Sequence, residues 1–301
     1  MVANSTNTLL SQCTCWVCDS NRLELAKSSN IKETLSSKSF AITDYNYGTT
    51  AEIHRCKNCG FLQCSNLKDE TLYYEELQDP HYESTRSARM LQMKKIMSVV
   101  QKYKTGGRLL DIGASSGILV QEAIKIGFKA EGVEPSKWLV NKAQEYNLPV
   151  WLGVLPQPNI TGPYDVITLI DIIEHVSNPK QLLLNAHNLL AKDGIVIVVT
   201  PDVGSLLAKI LAWRWWHFRV AHIGYFNKKT LNTIFSGAGF QLLKMYRPSW
   251  YFTLDYLLER ASTYLPCKFQ ISMPQVIKDV TVPLNLRDSI LGIYTLKEGR
   301  E

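Results

Sequence analysis

The stretch Leu109–Val120, LLDIGASSGILV, sets one acid and two glycines between two apolar runs. The first run, RLLDIG, has the composition of a buried strand. The second, from Ser116 to Ile126, has helical spacing and is closed by Gly127. A tight glycine turn from a strand into a helix presents backbone N–H groups at the helix N-terminus, a common cradle for nucleotides. This turn does not follow the dinucleotide pattern G-x-G-x-x-G, because it reads Asp111-x-Gly113-x-x-x-Gly117. A carboxylate at the strand end repels a pyrophosphate and welcomes a cationic amine. A second acid, Glu134, ends the next strand, KAEGVE, where a carboxylate can accept both hydroxyls of a ribose.

Beyond that turn the pattern alternates. Ser136–Tyr146 reads as a helix, PVWLG as a short strand and YDVITLI as a buried strand. Pro179–Leu190 is a helix ended near Gly194, IVIVVT an apolar strand, and KKTLNTIFSGAGF a helix with a glycine stop. QLLKMYR and DSILGIYTLK read as the last two strands. Strands alternating with helices predict an α/β fold whose parallel sheet is covered on both faces. Three regions are expected: a cysteine-rich segment over 1–66, a helical connector over 67–105, and the α/β domain over 106–301. An insertion over 248–287 interrupts the last two strands. Its first half places Leu254, Leu257, Leu258, Ala261 and Leu265 on one helical face, as a lid or an interface would.

Six of the seven cysteines precede residue 65. Cys15-x-x-Cys18 and Cys56-x-x-Cys59 form two knuckles, and Gly60 directly follows the second. In a reducing compartment such pairs read as metal ligands, and four thiolates close a tetrahedral zinc site with no open position. A structural zinc that folds a small polar region is expected. Cys13 and Cys64 are spare, and either could replace one of the four.

The 301 residues are 46% hydrophobic and 20% charged, with a net charge of +6 and no run of five to eight basic residues. This balance permits a phosphate-bearing ligand or an anionic membrane surface, but it contains no basic tail of the kind that binds DNA. MVANSTNTLLSQ has neither a basic n-region nor an apolar h-region, and no apolar run reaches the ~18 residues of a membrane span. A cytoplasmic protein is expected, touching a membrane at most from the side. The sequence carries no signal for oligomeric state.

LLDIGASSG, GVEPS, YDVITLIDIIEHVSNP and LLAKDGIVIVVTPDVGS, in that order, resemble the successive motifs of the class I S-adenosylmethionine (SAM)-dependent methyltransferases. The likeness covers about Arg108 to Phe240. It is closest to a small-molecule subgroup with an N-terminal cysteine-rich zinc region. Ser115 departs from the commoner glycine. The resemblance implies a seven-stranded Rossmann-like sheet in the order 3-2-1-4-5-7-6, with the last strand antiparallel. It also implies roles. Asp111 and the backbone of Gly113, Ala114, Ser115 and Gly117 would face the methionine end, and Glu134 the ribose. Pro135 and Ser136 would shape the helix start beside the adenosine. Gly153 and Val154 would lie against the adenine, and Ile170 and Asp171 under the methionine moiety.

Methyl transfer from a sulfonium needs alignment and desolvation, and a base only where the acceptor must lose a proton. His222 and His175 are the candidate bases, because imidazole titrates near working pH. Asp171-x-x-Glu174-His175 also reads as a metal set, with capping as the plainer alternative. The cluster Trp213, Trp215, Trp216, Phe218, Tyr225 and Phe226 reads either as the wall of an acceptor pocket, as a membrane-interface patch, or as packing. Arg214 and Arg219, interleaved with it, could hold an acceptor phosphate. The expected activity is transfer of a methyl group to oxygen or carbon of a small molecule: a sugar, a lipid-linked compound or a secondary metabolite. Two alternatives stand beside it. One is a nucleic-acid or protein methyltransferase that uses the zinc region for recognition. The other is a non-catalytic SAM-binding protein whose acceptor pocket Trp215 and Trp216 would block.

Overall fold

The structure, a computed structural model, describes residues 13–43, 46–67, 70–262 and 280–298. Leu265 and Cys267 of the insertion, and the first twelve residues, lie outside these ranges. Three short strands, β1 (Leu23–Lys27), β2 (Ile53–Cys56) and β3 (Leu62–Gln63), precede three helices, α1 (Glu70–Glu75), α2 (Pro80–Ser84) and α3 (Arg86–Val100). The alternating part follows: β4 (Gly107–Ile112), α4 (Ile118–Lys125), β5 (Phe128–Glu134), α5 (Lys137–Glu145), β6 (Val150–Leu152), β7 (Tyr164–Ile170), α6 (Pro179–Leu189) and β8 (Leu190–Pro201). It continues with α7 (Leu206–Leu211), β9 (Gly224–Tyr225), α8 (Lys228–Gly237) and β10 (Phe240–Tyr246). The chain then passes through β11 (Trp250–Thr253), α9 (Leu254–Ser262) and β12 (Thr281–Leu284) to β13 (Ser289–Leu296).

Helix starts follow local chemistry. Ser136 caps α5 by accepting from the N–H of Leu139, and Asn178 caps α6 from Gln181 with Pro179 in the first turn. Asn227 and Thr230 form a capping box on α8.

The main sheet has the order β10-β13-β8-β7-β4-β5-β6. Its five strands from β4 to β8 run parallel, and β13 is antiparallel to both β8 and β10. Counted among these seven strands alone, that is 3-2-1-4-5-7-6, the expected order. Val166, Ile167 and Leu169 of β7 are fully buried, as a central parallel strand covered on both faces requires.

A second sheet, β1-β2-β3-β9, joins the cysteine-rich segment to the α/β part, because β9 enters the chain only after β8. One apolar core runs from Cys15, Cys56 and Phe61 through Phe226 to Leu231 and Tyr294. Residue 66 therefore marks a change of composition and not a break in packing. In the insertion, β11 and β12 pair antiparallel, and the N–H of Tyr251 donates to Oε1 of Gln92 on α3 at 3.1 Å. Among the described residues, no helix is long and apolar enough to cross a membrane.

Candidate active site

The turn after β4 is held from below by β5. The N–H groups of Gly113 and Ala114 donate to the carbonyl of Val133 at 2.8 and 3.0 Å. A Cβ on Gly132 would sit 2.4 Å from Cβ of Ala114, so only glycine lets β5 run this close beneath the turn. Gly113 has φ +74, and a Cβ there would lie 2.1 Å from Cδ1 of Ile172. Ser115 holds a left-handed φ of 52, which explains why glycine is the commoner residue at this point of the motif. Gly117, also left-handed at φ 76, is the N-cap of α4.

Both acids sit against this turn. Asp111 is buried and accepts from Oγ1 of Thr168 at 2.6 Å. Glu134 accepts the N–H of Ser115 on one oxygen and the N–H of Ser136 on the other, each at 2.9 Å. Burial raises each carboxyl to about 7, although the hydrogen bonds from Thr168, Ser136 and Ser115 pull the other way. Acids in this condition bind a cation or a diol strongly once ionised, because the site is dry.

Asp111, Gly113, Ala114, Ser115, Glu134, Pro135, Gly153, Val154, Ile170 and Asp171 all line one cavity of about 780 Å³. Gly117 is absent from its wall and acts through the helix cap. The cavity continues past Asp171 to His175 and His222, then on to Trp250, Phe252 and Tyr256 of the insertion. Phe40 and Ile42 of the cysteine-rich segment close another side.

The polar end is built by a single 3-10 turn, Ile173–His175, and by the return of the chain before β9. The N–H of Ile223 donates to the carbonyl of Glu174 at 2.9 Å, which brings His222 to His175, with ring centroids 4.8 Å apart. Nδ1 of His175 lies 2.7 Å from the carbonyl of Ala221 and 2.7 Å from the hydroxyl of Tyr74. A neutral His175 donates from Nδ1 to that carbonyl and leaves Nε2 as an acceptor. His217 stacks on His222 at 5.5 Å. Burial lowers all three rings, His175 to about 4 and His217 to about 3, and His222 falls well below its ordinary value. All three are therefore neutral. Glu174 accepts from Oγ1 of Thr200 at 2.9 Å on one oxygen, while Oε1 has no hydrogen-bond partner among the described residues. Burial and the neighbouring Asp171 push Glu174 well up. Donor atoms of Glu174, His175 and His222 lie within 4.8 Å of one another, close enough to share a cation.

The aromatic cluster divides. Trp215, Phe218, Tyr225 and Phe226 are buried packing, and Trp215 donates from Nε1 to Asp288 at 3.2 Å. Trp216 lines the cavity without filling it. Arg219 gives its guanidinium to the carbonyls of Ala41 and Ile42, the latter at 3.0 Å, and so ties the cysteine-rich segment to the cavity wall.

The Sγ atoms of Cys15, Cys18, Cys56 and Cys59 lie within 4.8 Å of one another, with Cys15 to Cys59 at 3.5 Å and Cys18 to Cys56 at 3.6 Å. A tetrahedral site with metal–sulfur bonds of about 2.3 Å has edges of about 3.8 Å. The donor set fits zinc. Cys13 and Cys64 stand outside the cluster, and Cys64 is buried beside the hydroxyl of Tyr225.

Sequence reasoning missed Thr168, Tyr74 and Arg89, which lines the cavity and whose guanidinium acts on the carboxyl of Asp171. Thr168 is the one hydroxyl within the run Val166–Ile170 of β7, a signal that could have found it. Tyr74 and Arg89 come from the connector, where nothing in the local pattern points to the cavity.

A family model described as a methyltransferase domain matches residues 82–245, more than half of the chain. A ubiquinone biosynthesis O-methyltransferase of Caulobacter sp. is 31% identical over 103 residues, covering 32% of this chain and 41% of that protein. Its counterpart from Methylococcus capsulatus is 30% identical over 129 residues, covering 38% and 53%. The chain thus spans about two fifths to half the length of these curated relatives. Among solved structures, a chain from a Haloferax volcanii complex of a methyltransferase with its activator superposes with a TM-score of 0.50 at 11% identity, covering 73% of this chain and 97% of that one. The magnesium protoporphyrin IX methyltransferase of Synechocystis gives a TM-score of 0.47 at 13% identity, covering 75% and 91%. At these identities the structural likeness is one of fold. With the strand order, the acid-bearing glycine turn and the family match together, the chain belongs to the methyltransferase-domain family.

Proposed function

We propose that this enzyme methylates an oxygen of a small molecule held beside SAM in the one continuous cavity. That continuity is the observation that carries the reading: the wall runs unbroken from Asp111 and Glu134 to His175, His222 and the insertion. The names of the O-methyltransferase relatives support the same class of acceptor.

In this reading Asp111 and the backbone of Gly113 to Ser115 hold the cationic methionine end, with Gly117 fixing the helix start. Glu134 holds the ribose hydroxyls, and Pro135, Gly153 and Val154 flank the adenine. Ile170 and Asp171 form the floor. SAM supplies a methyl group already activated on a sulfonium. His222 accepts the proton of the acceptor hydroxyl as the new O–CH3 bond forms and the S–CH3 bond breaks, and His175, pinned by the carbonyl of Ala221, orients it. Burial keeps both rings unprotonated but also makes them weak bases, so the proton moves only as the O–CH3 bond forms. Cys15, Cys18, Cys56 and Cys59 would hold a zinc whose closed sphere leaves no position for substrate, so its role is structural.

The test joins binding to turnover. Calorimetric titration with SAM is expected to show at least about a tenfold loss of affinity in Asp111→Asn and in Glu134→Gln. Mass spectrometry with methyl-labelled SAM is expected to find the label on a hydroxyl of phenolic or polyol acceptors. Unchanged affinity in both variants, or label found only on protein or nucleic acid, overturns the proposal.

A further inference from the structure

Between Asp202 and Asp255 the chain contains no acidic residue but seven basic ones, more than the net charge of +6 carried by the whole molecule. The remainder is therefore nearly neutral, and the basic character is gathered in one stretch. Within it, α7 exposes Leu206 at 75% and Ile210 at 69%, the two most exposed large apolar side chains among the described residues. They stand one helical turn apart and so share a face. The opposite face of α7 is already used: Ala208 is buried in a core that includes Trp215 and Phe218.

The charges sit around that apolar face. Lys209 lies between the two residues, and Arg214 follows in the next turn; both are exposed. Lys228 and Lys229, also exposed, begin α8. The start of α8 adjoins the start of α7, because a Cβ on Gly204 would lie 3.1 Å from that of Asn227, and the N–H of Val203 donates to the carbonyl of Phe226 at 2.9 Å. No ion pair of Lys209, Lys228 or Lys229 is found among the described residues.

We propose that the surface formed by Leu206, Lys209, Ile210, Lys228 and Lys229 docks on a lipid bilayer rich in anionic headgroups. Two apolar side chains presented beside lysines, with no acid in the surrounding stretch, match the interfacial pattern of apolar insertion with basic contact to phosphate. Lysine stems lie along apolar surface while their ammonium groups reach the headgroups. The chain leaves this surface through Ala212–Arg214 and reaches Trp216 and His217, which line the cavity. Docking here sets the acceptor end of the cavity close to the bilayer.

Sedimentation of the full chain with vesicles tests this. Binding is expected to phosphatidylcholine vesicles containing phosphatidylglycerol, to weaken with salt, and to be weaker on phosphatidylcholine alone. The pair Leu206→Ser with Ile210→Ser, and separately Lys228→Glu with Lys229→Glu, should each lower partitioning at least about tenfold. SAM affinity and melting temperature should stay unchanged in both, since none of these residues lines the cavity. In the wild-type chain, brominated lipids should quench tryptophan fluorescence, a readout that needs no variant. Absence of binding to anionic vesicles overturns the proposal, as does equal binding by all variants. It is also overturned if the wild-type chain forms a dimer without lipid that the Leu206 and Ile210 pair abolishes, or if it is retained by RNA and not by vesicles.

Discussion

Asp111 and Glu134 are buried carboxyls that share the cavity with the expected position of a cationic ligand. Burial holds both near 7, against about 4 in an unfolded chain. Between those values the folded protein keeps protons that the unfolded chain has lost, so these groups favour folding less as pH rises through the window. Asp111→Asn removes one of them. The stability of this variant relative to wild type, measured by denaturant unfolding without ligand, should therefore rise as pH goes from about 5 to about 8. In the proposed reading SAM affinity runs the opposite way: if the ionised carboxylates hold the ligand, wild-type affinity should increase as pH passes about 7, and Asp111→Asn should flatten that profile. A flat wild-type profile, or one that falls with pH, contradicts this account. Both acids were legible in the sequence because each stands at the end of a strand, where its side chain must face the C-terminal edge of the sheet. His175 and His222 were both legible as residues, but their surroundings were not: the contact of Nδ1 of His175 with Tyr74 joins residues far apart in the chain, and no periodicity records it.

At the scale of the element, the turn depends on a strand it does not belong to. Gly132 lies inside β5, where glycine costs conformational entropy and packs nothing. Its place is explained by Ala114, whose Cβ occupies the space a side chain would need. Gly132→Ala should destabilise the protein by about 1–3 kcal/mol, as overpacking does elsewhere, and should weaken SAM binding as well, because the displaced residue belongs to the turn. Unfolding curves and calorimetry measure the two effects. A loss of stability with SAM affinity unchanged would show that the turn does not rest on β5. The strands and helices of the α/β part could be read from pattern because their period and caps are local. The insertion could not be read as fully: its helical face was visible, but the pairing of β11 with β12 joins segments on opposite sides of it.

For the molecule as a whole, the cysteine-rich segment is a wall of the cavity. It adds three strands to a sheet completed by β9, shares a core with Phe226 and Leu231, and lends Phe40 and Ile42 to the cavity. If the four thiolates hold zinc as proposed, treatment with a chelator, or Cys56→Ser, should therefore lower one cooperative unfolding transition by more than about 5 °C and weaken SAM binding with it. Calorimetry that resolves two transitions, with the α/β part melting unchanged, contradicts a shared core. The sequence by itself determined the α/β class, the acid-bearing turn and the four clustered thiols, while the order of the seven strands came from the resemblance to a known family. The first three follow from short-range spacing or from residue chemistry at a strand end. Only the tertiary structure decided which aromatic rings pack and which face the cavity, that Arg219 fastens residues 41–42, and that the cysteine-rich segment shares its core with the α/β part. Those outcomes depend on contacts between distant parts of the chain, chosen by how side chains fill space, and such contacts leave no period in the sequence.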